Sequence, residues 1–157
     1  MIDQLCLSES LLEGAKEVFE TMVFMDIVES TDPYRFVEGD TLLGSITFTG
    51  NLEGCLSICC DISCAKAITI NMLGMEPDDP VGNEDICDSI GEISNMVMGS
   101  VKSRIAESVG TIEVSIPSVV SGHELESNSC DKKNKIIAKV NIQDEYYAEF
   151  TLLYREN

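Results

Sequence analysis

Tryptophan is absent from this 157-residue chain, histidine occurs once, at His123, and only 10 residues are Lys or Arg against 28 Asp and Glu. Each shortage excludes something. A single imidazole leaves little room for a histidine-based active site. A formal charge of −18 repels nucleic acid and anionic lipid, both of which are recognised through basic patches. No apolar run approaches the roughly 20 residues that span a bilayer. The opening MIDQLCLSES has neither the basic n-region nor the apolar h-region of a signal peptide, so the expected compartment is the cytoplasm. No CxxC pair is present, so the usual zinc-ribbon spacing is missing.

What the chain does have is 44% apolar residues, enough for one domain with one sizeable core. It also has seven cysteines, an odd number that argues against a disulfide framework. Four of them cluster as Cys55, Cys59, Cys60 and Cys64 in GCLSICCDISCAK. In a strand, Cys55 and Cys59 share one face and Cys60 takes the other, so four thiolates do not converge on one metal. They are expected to be reduced, metal-free core residues. A thiol or metal protein is the minority reading.

Ser10 with Glu13 forms a capping-box signature, and Leu11, Ala15, Val18 and Met22 recur at helical spacing, which predicts a helix over Glu9–Met25. TLLGSITFTG and GCLSICCDI read as a hairpin joined across Gly50–Gly54. SCAKAITINMLG reads as a helix that stops at Gly74, and a longer helix follows over Asn83–Ser108. TIEVSIPSVV reads as one strand with an edge or end at Pro117, HELESNSCDKKNK as a loop, and IIAKVNI with YYAEFTLLY as a closing hairpin. The expected class is α+β, an antiparallel sheet covered by helices.

The long helix carries unusual choices, with glycines at 91 and 99 and like charges at Asp88 and Glu92. Each interior glycine costs about 0.5–1 kcal/mol relative to alanine. At 100° per residue, Ile86, Ile90, Ile93, Val97 and Val101 fall within about 80° of one another as a core stripe. Asp88, Glu92, Asn95 and Gly99 fall on the opposite side, flanked by Lys102, so the costly choices are read as solvent-facing. Taken alone, a Glu and an Asn three apart are what any solvated face shows. Sliding the first helix by 75 residues brings its stripe into phase with this one and sets Glu13, Glu17 and Glu20 against Asp88, Glu92 and Asn95, with Phe24 at the place of Gly99. An internal helix–strand pseudo-repeat would produce that.

Asp88-x3-Glu92-x2-Asn95, then Gly99 and Pro117, resembles the signature of the CheC/CheX/FliY family, phosphatases of the phosphorylated chemotaxis response regulator CheY. The single complete motif and the length are most similar to the CheX branch, since CheC typically carries the motif twice and here Glu20 stands where a second asparagine would. The resemblance implies a CheC-like fold and hydrolysis of an aspartyl phosphate on a partner. Asn95 would position the attacking water, and Glu92 would dock the partner's lysine. Asp88, Met96, Gly99 and Lys102 would contact the partner. It implies no cofactor of the chain's own, with Mg2+ held by the phosphorylated partner, and a homodimer joined through its sheets. The alternative is a non-catalytic binding module for a receiver domain or another chemotaxis protein.

Overall fold

The computed structural model describes residues 2–123 and 134–157. Helix α1 (Gln4–Val18) starts one turn earlier than the sequence suggests, because the Asp3 carboxylate accepts the Leu5 N–H and caps it. The start lengthens the apolar stripe by Leu7, which is fully buried, and leaves Ser10 buried inside the helix rather than at its cap.

After Val18 the helix widens into a π-turn (Phe19–Val23), in which the Phe24 N–H reaches the Phe19 carbonyl. The extra residue rotates the helix phase. Phe19 and Val23 therefore enter the core, and Met22, expected on the core stripe, is 47% exposed. Phe24 ends the turn in the left-handed region at φ 61°, where a bulky side chain is rare.

The strands follow as β1 (Ile27–Glu29), β2 (Asp40–Gly50) and β3 (Leu52–Asp61). The β2–β3 ladder closes at Phe48–Gly54, as a hairpin joined across the glycines requires. Asp61 caps α2 (Ile62–Leu73) by accepting the Cys64 N–H, and Gly74 ends it in the left-handed region at φ 66°. Helix α3 spans Asn83–Val109, one residue beyond expectation.

The single strand expected from TIEVSIPSVV is two, β4 (Ile112–Val114) and β5 (Ser118–His123). Pro117 lacks an N–H for the ladder, and the Ser115 hydroxyl accepts the Thr47 N–H at the break, so both pieces pair with β2. Of the expected loop over 123–135, His123 closes β5 and Asn134 and Lys135 open β6 (Asn134–Ile142), and the residues between lie outside those described. A turn with positive φ at Gln143 and Asp144 leads into β7 (Tyr146–Glu156). That is the type I′ geometry a twisted hairpin favours.

Among the described residues, seven strands form one antiparallel sheet in the order β1-β6-β7-β3-β2, with β4 and β5 both on the far edge of β2. Exchanging β1, β2 and β3 for β5, β6 and β7 maps this order onto itself reversed, which a repeated helix-plus-three-strand unit would also give.

The helices and the sheet close one core, in which Phe19 meets Phe150 edge-to-face at 6.1 Å. Cys60 and Cys64 belong to it. Cys59 packs instead with Val37 and Tyr147 on the sheet's other face, where Arg35 lies 4.7 Å above the Tyr147 ring. The cysteine cluster is thus divided by the sheet, as strand alternation predicts. No helix among the described residues is long and apolar enough to cross a membrane.

Candidate functional site

Helix α3 owes its orientation to its stripe. Ile90, Ile93, Val97 and Val101 are fully buried and Ile86 nearly so. Burying side chains of this size stabilises by about 1.5–3 kcal/mol each, enough to fix which face looks outward. That face carries Asp88, Glu92, Asn95 and Gly99, all exposed, with Met96 and Lys102 half-buried at its margins. The structure thus brings together Asp88, Glu92, Asn95, Met96, Gly99 and Lys102 as the sequence places them, with Gly91 the exception.

Glu92 and Asn95 are neighbours one turn apart. Among the described residues neither side chain has a hydrogen-bond or ion-pair partner. A Cβ at Gly99 would meet nothing within 4 Å, so the surface there is open to an incoming molecule.

The other glycine behaves differently. Gly91 is buried, facing Pro117 and Val119, so it is not on the solvent side where the helical wheel sets the costly choices. At about 140° from Ile86 it lies between the stripe and the outer face, nearer the outer face, and β5 covers it. A Cβ there would stand 3.5 Å from Val119 Cγ2, an ordinary contact.

Two features around the site escape a reading by sequence pattern. Helix α1 crosses α3 closely at Gly14, where a Cβ would lie 3.3 Å from Val101 Cγ2. Beside that crossing the Glu17 carboxylate accepts from Arg104 Nη2 at 2.7 Å and from Ser100 Oγ at 2.8 Å. Those bonds, Arg104 first, hold the Glu17 carboxyl below the usual range. Glu17, the in-phase counterpart of Glu92, is therefore engaged within the chain. Helical phase alone cannot reveal this, since it depends on how the two helices cross.

The second feature is Gly44 of β2, against which Ile90 and Ser94 of α3 rest. A glycine inside a strand pattern is the available signal, because it marks a close approach of another element.

An exposed amide beside an exposed carboxylate has defined capabilities. The amide both donates and accepts, so it can orient a water. The carboxylate can only accept, and it is suited to a cation on a partner. Among the described residues no group of three His, Cys, Asp or Glu could hold a metal ion.

The sequence matches the family model of the chemotaxis phosphatase CheX over residues 42–141. The chain is similar to the chemotaxis protein CheX from Vibrio vulnificus, at 28% identity over 95% of this chain and 96% of that one, with a TM-score of 0.80. It is also similar to a CheC-like superfamily protein from Shewanella sp. PV-4, at 23% identity over 98% and 99%, with a TM-score of 0.78. The fold is shared too with a chain of the CheX–CheY–BeF3–Mg2+ complex from Borrelia burgdorferi, at 19% identity over 99% and 100%, with a TM-score of 0.76. A comparison with curated proteins finds no match.

Proposed function

Because this chain belongs to the chemotaxis phosphatase CheX family, we propose that it removes the phosphoryl group from the aspartyl phosphate of a CheY-like response regulator, using the outer face of α3. The observation that carries the reading is the pair Glu92 and Asn95. Both are exposed, and neither has a partner among the described residues, on a helix whose opposite face is the core.

The receiver domain supplies most of the chemistry. It holds the phosphoryl group, the Mg2+ that neutralises its charge, and a lysine. Hydrolysis then lacks a water in line with phosphorus. Asn95 supplies that placement: its amide N–H and carbonyl engage the water from one side. Glu92 accepts from the partner's lysine and sets the register of docking. Asp88, Met96, Gly99 and Lys102 complete the contact surface, and the bare backbone at Gly99 lets the partner approach. An ionised carboxylate cannot donate, so Glu20 on the first helix does not replace Asn95.

The working unit is a homodimer paired along a sheet edge, with one active face per subunit. The β4/β5 edge suits this, since Val114, Ile116 and Val120 are exposed there (Ile116 88%). Sedimentation as a monomer at micromolar concentration contradicts the dimer.

The test of function is phosphate release from a receiver domain loaded with acetyl phosphate. Catalytic acceleration by substoichiometric protein is the expected result. Saturable binding without acceleration assigns the same surface to a non-catalytic docking role and overturns the phosphatase reading.

A further inference from the structure

We infer that Gly44, in the sheet beneath the site, is a positioning residue that sets the height of the Glu92–Asn95 segment above the sheet. The turnover consequences rest on the phosphatase reading above, while the seating of the helix does not.

Gly44 lies in the interior of β2, opposite Ile58 of β3 on one side and Val119 of β5 on the other. Its backbone is ordinary extended strand, so no left-handed conformation calls for glycine. The reason is steric. A Cβ at this position would lie 2.6 Å from Ser94 Oγ, 2.8 Å from Ile90 Cγ2 and 3.3 Å from the Ile90 carbonyl oxygen. The first two distances are shorter than real Cβ atoms tolerate, and the third is to backbone, which cannot turn aside.

Ile90 and Ser94 are themselves held. Both are fully buried, and Ser94 Oγ donates to the Ile90 carbonyl at 3.0 Å, closing one helical turn onto the sheet. Ile90 is β-branched and stiff at χ1. Leu42 and Ile46, two residues to either side of Gly44 on the same face, are buried with full side chains. The helix therefore drops into a notch one residue wide. Ser94 directly precedes Asn95 and Ile90 stands two before Glu92, so the notch fixes the turn that presents both. Because Ile90 is stiff at χ1 and its carbonyl is backbone, a methyl group in the notch is expected to lift that turn outward.

The experiment is a series of three variants: Gly44→Ala, Gly44→Ala with Ser94→Ala, and Gly91→Ala as a control whose Cβ meets only ordinary contacts. Crystal structures give the distance from the Asn95 Cα to β2, and kinetics on phosphorylated receiver domain give kcat and KM separately. Gly44→Ala is expected to displace the Ile90–Asn95 turn outward and lower kcat about tenfold or more, since sub-ångström to ångström misplacement is costly. Affinity for receiver domain loaded with beryllofluoride and Mg2+ should change less than about threefold, because the lifted face stays exposed. Removing Ser94 Oγ relieves the nearest of the two severe clashes and leaves Ile90 Cγ2, so the double variant should return part of the displacement and part of kcat. Gly91→Ala should leave both near wild type.

The inference is overturned if Gly44→Ala leaves the turn where it is, or if the double variant recovers neither position nor rate. It is equally overturned if neither Gly44 variant folds, because Gly44 is then a requirement for folding. A wild-type protein that dephosphorylates no receiver domain defeats the phosphatase reading alone, and the displacement measured by crystallography still decides whether Gly44 seats the helix.

Discussion

Helices α1 and α3 lie side by side in the core, and each carries an apolar stripe that is buried and a charged face that is not. Their outer faces differ in kind. On α3 the helix is continuous for 27 residues, and Glu92 and Asn95 stand exposed without partners among the described residues. On α1 regular winding ends after 15 residues in the π-turn, Glu17 is clasped by Arg104 and Ser100, and Glu20 offers no amide. The same periodicity thus serves two ends. Apolar spacing decides that a helix packs. What the helix can do depends on whether its polar side chains are left for a partner or spent within the chain.

The largest expected effects treat the two helices alike. Ile93→Ala and Leu11→Ala each delete a fully buried side chain and should cost about 2–5 kcal/mol of stability by denaturant unfolding. A much smaller loss on α1 would mean that its stripe is not part of the common core.

Next come the docking charges, where the helices should part. On the proposed docking of Glu92 to a partner lysine, Glu92→Lys should slow turnover by on the order of tenfold or more, with Glu92→Ala milder, since steering by charge works on this scale. Equal turnover in wild type and Glu92→Lys would remove Glu92 from the interface.

A third expectation concerns pH. Tyr147 is held neutral above its ordinary range, by burial first and then by its hydrogen bond to Glu149. Cys60 is held neutral too, by its hydrogen bond to Cys64 first and then by burial. Both folded values are raised, so their contribution to stability is intact below about pH 8 and is lost as pH rises, first for Cys60 and then, towards about pH 10, for Tyr147, as the unfolded groups ionise. Thermal melts should decline on the alkaline side, and Tyr147→Phe should flatten that decline. Neither helix face takes part, so Glu92→Ala should leave the shape of the profile unchanged.

The smallest effect is on the first helix. Glu20→Ala, at an exposed position, should change stability by no more than about 0.5 kcal/mol and turnover not at all.

Much of this molecule is legible in its sequence. The α3 stripe, the hairpins, the Gly74 stop and the exposed face at 88, 92, 95 and 99 follow from period and from caps, which are local properties. The departures are of a different type. The π-turn that exposes Met22 arises because Phe19 and Val23 bury better than Met22 and Phe24 do, a tertiary preference that overrides the 3.6-residue period. The earlier start of α1 turns on Leu7, which is fully buried while Leu5 is exposed, a difference that depends on the core above the helix. The split at Pro117 comes from a missing N–H that the sequence displays, but its effect on pairing depends on β2. The Glu17–Arg104 clasp and the Gly44 notch join residues far apart in sequence; a glycine inside a strand pattern signals a close approach at Gly44 but not which element makes it, and nothing local signals the clasp.

In the proposed mechanism catalysis rests on α3, and on Asn95 in particular. The decisive comparison is the rate of phosphate loss from a phosphorylated receiver domain with Asn95→Ala and Glu20→Ala side by side. Both proteins should melt near wild type, because both changes are at exposed positions. Asn95→Ala should lose turnover by about a hundredfold while still binding the partner, and Glu20→Ala should match wild type. Wild-type turnover in Asn95→Ala with loss in Glu20→Ala would place the site on the other helix, and wild-type turnover in both would contradict the assignment of Asn95 altogether.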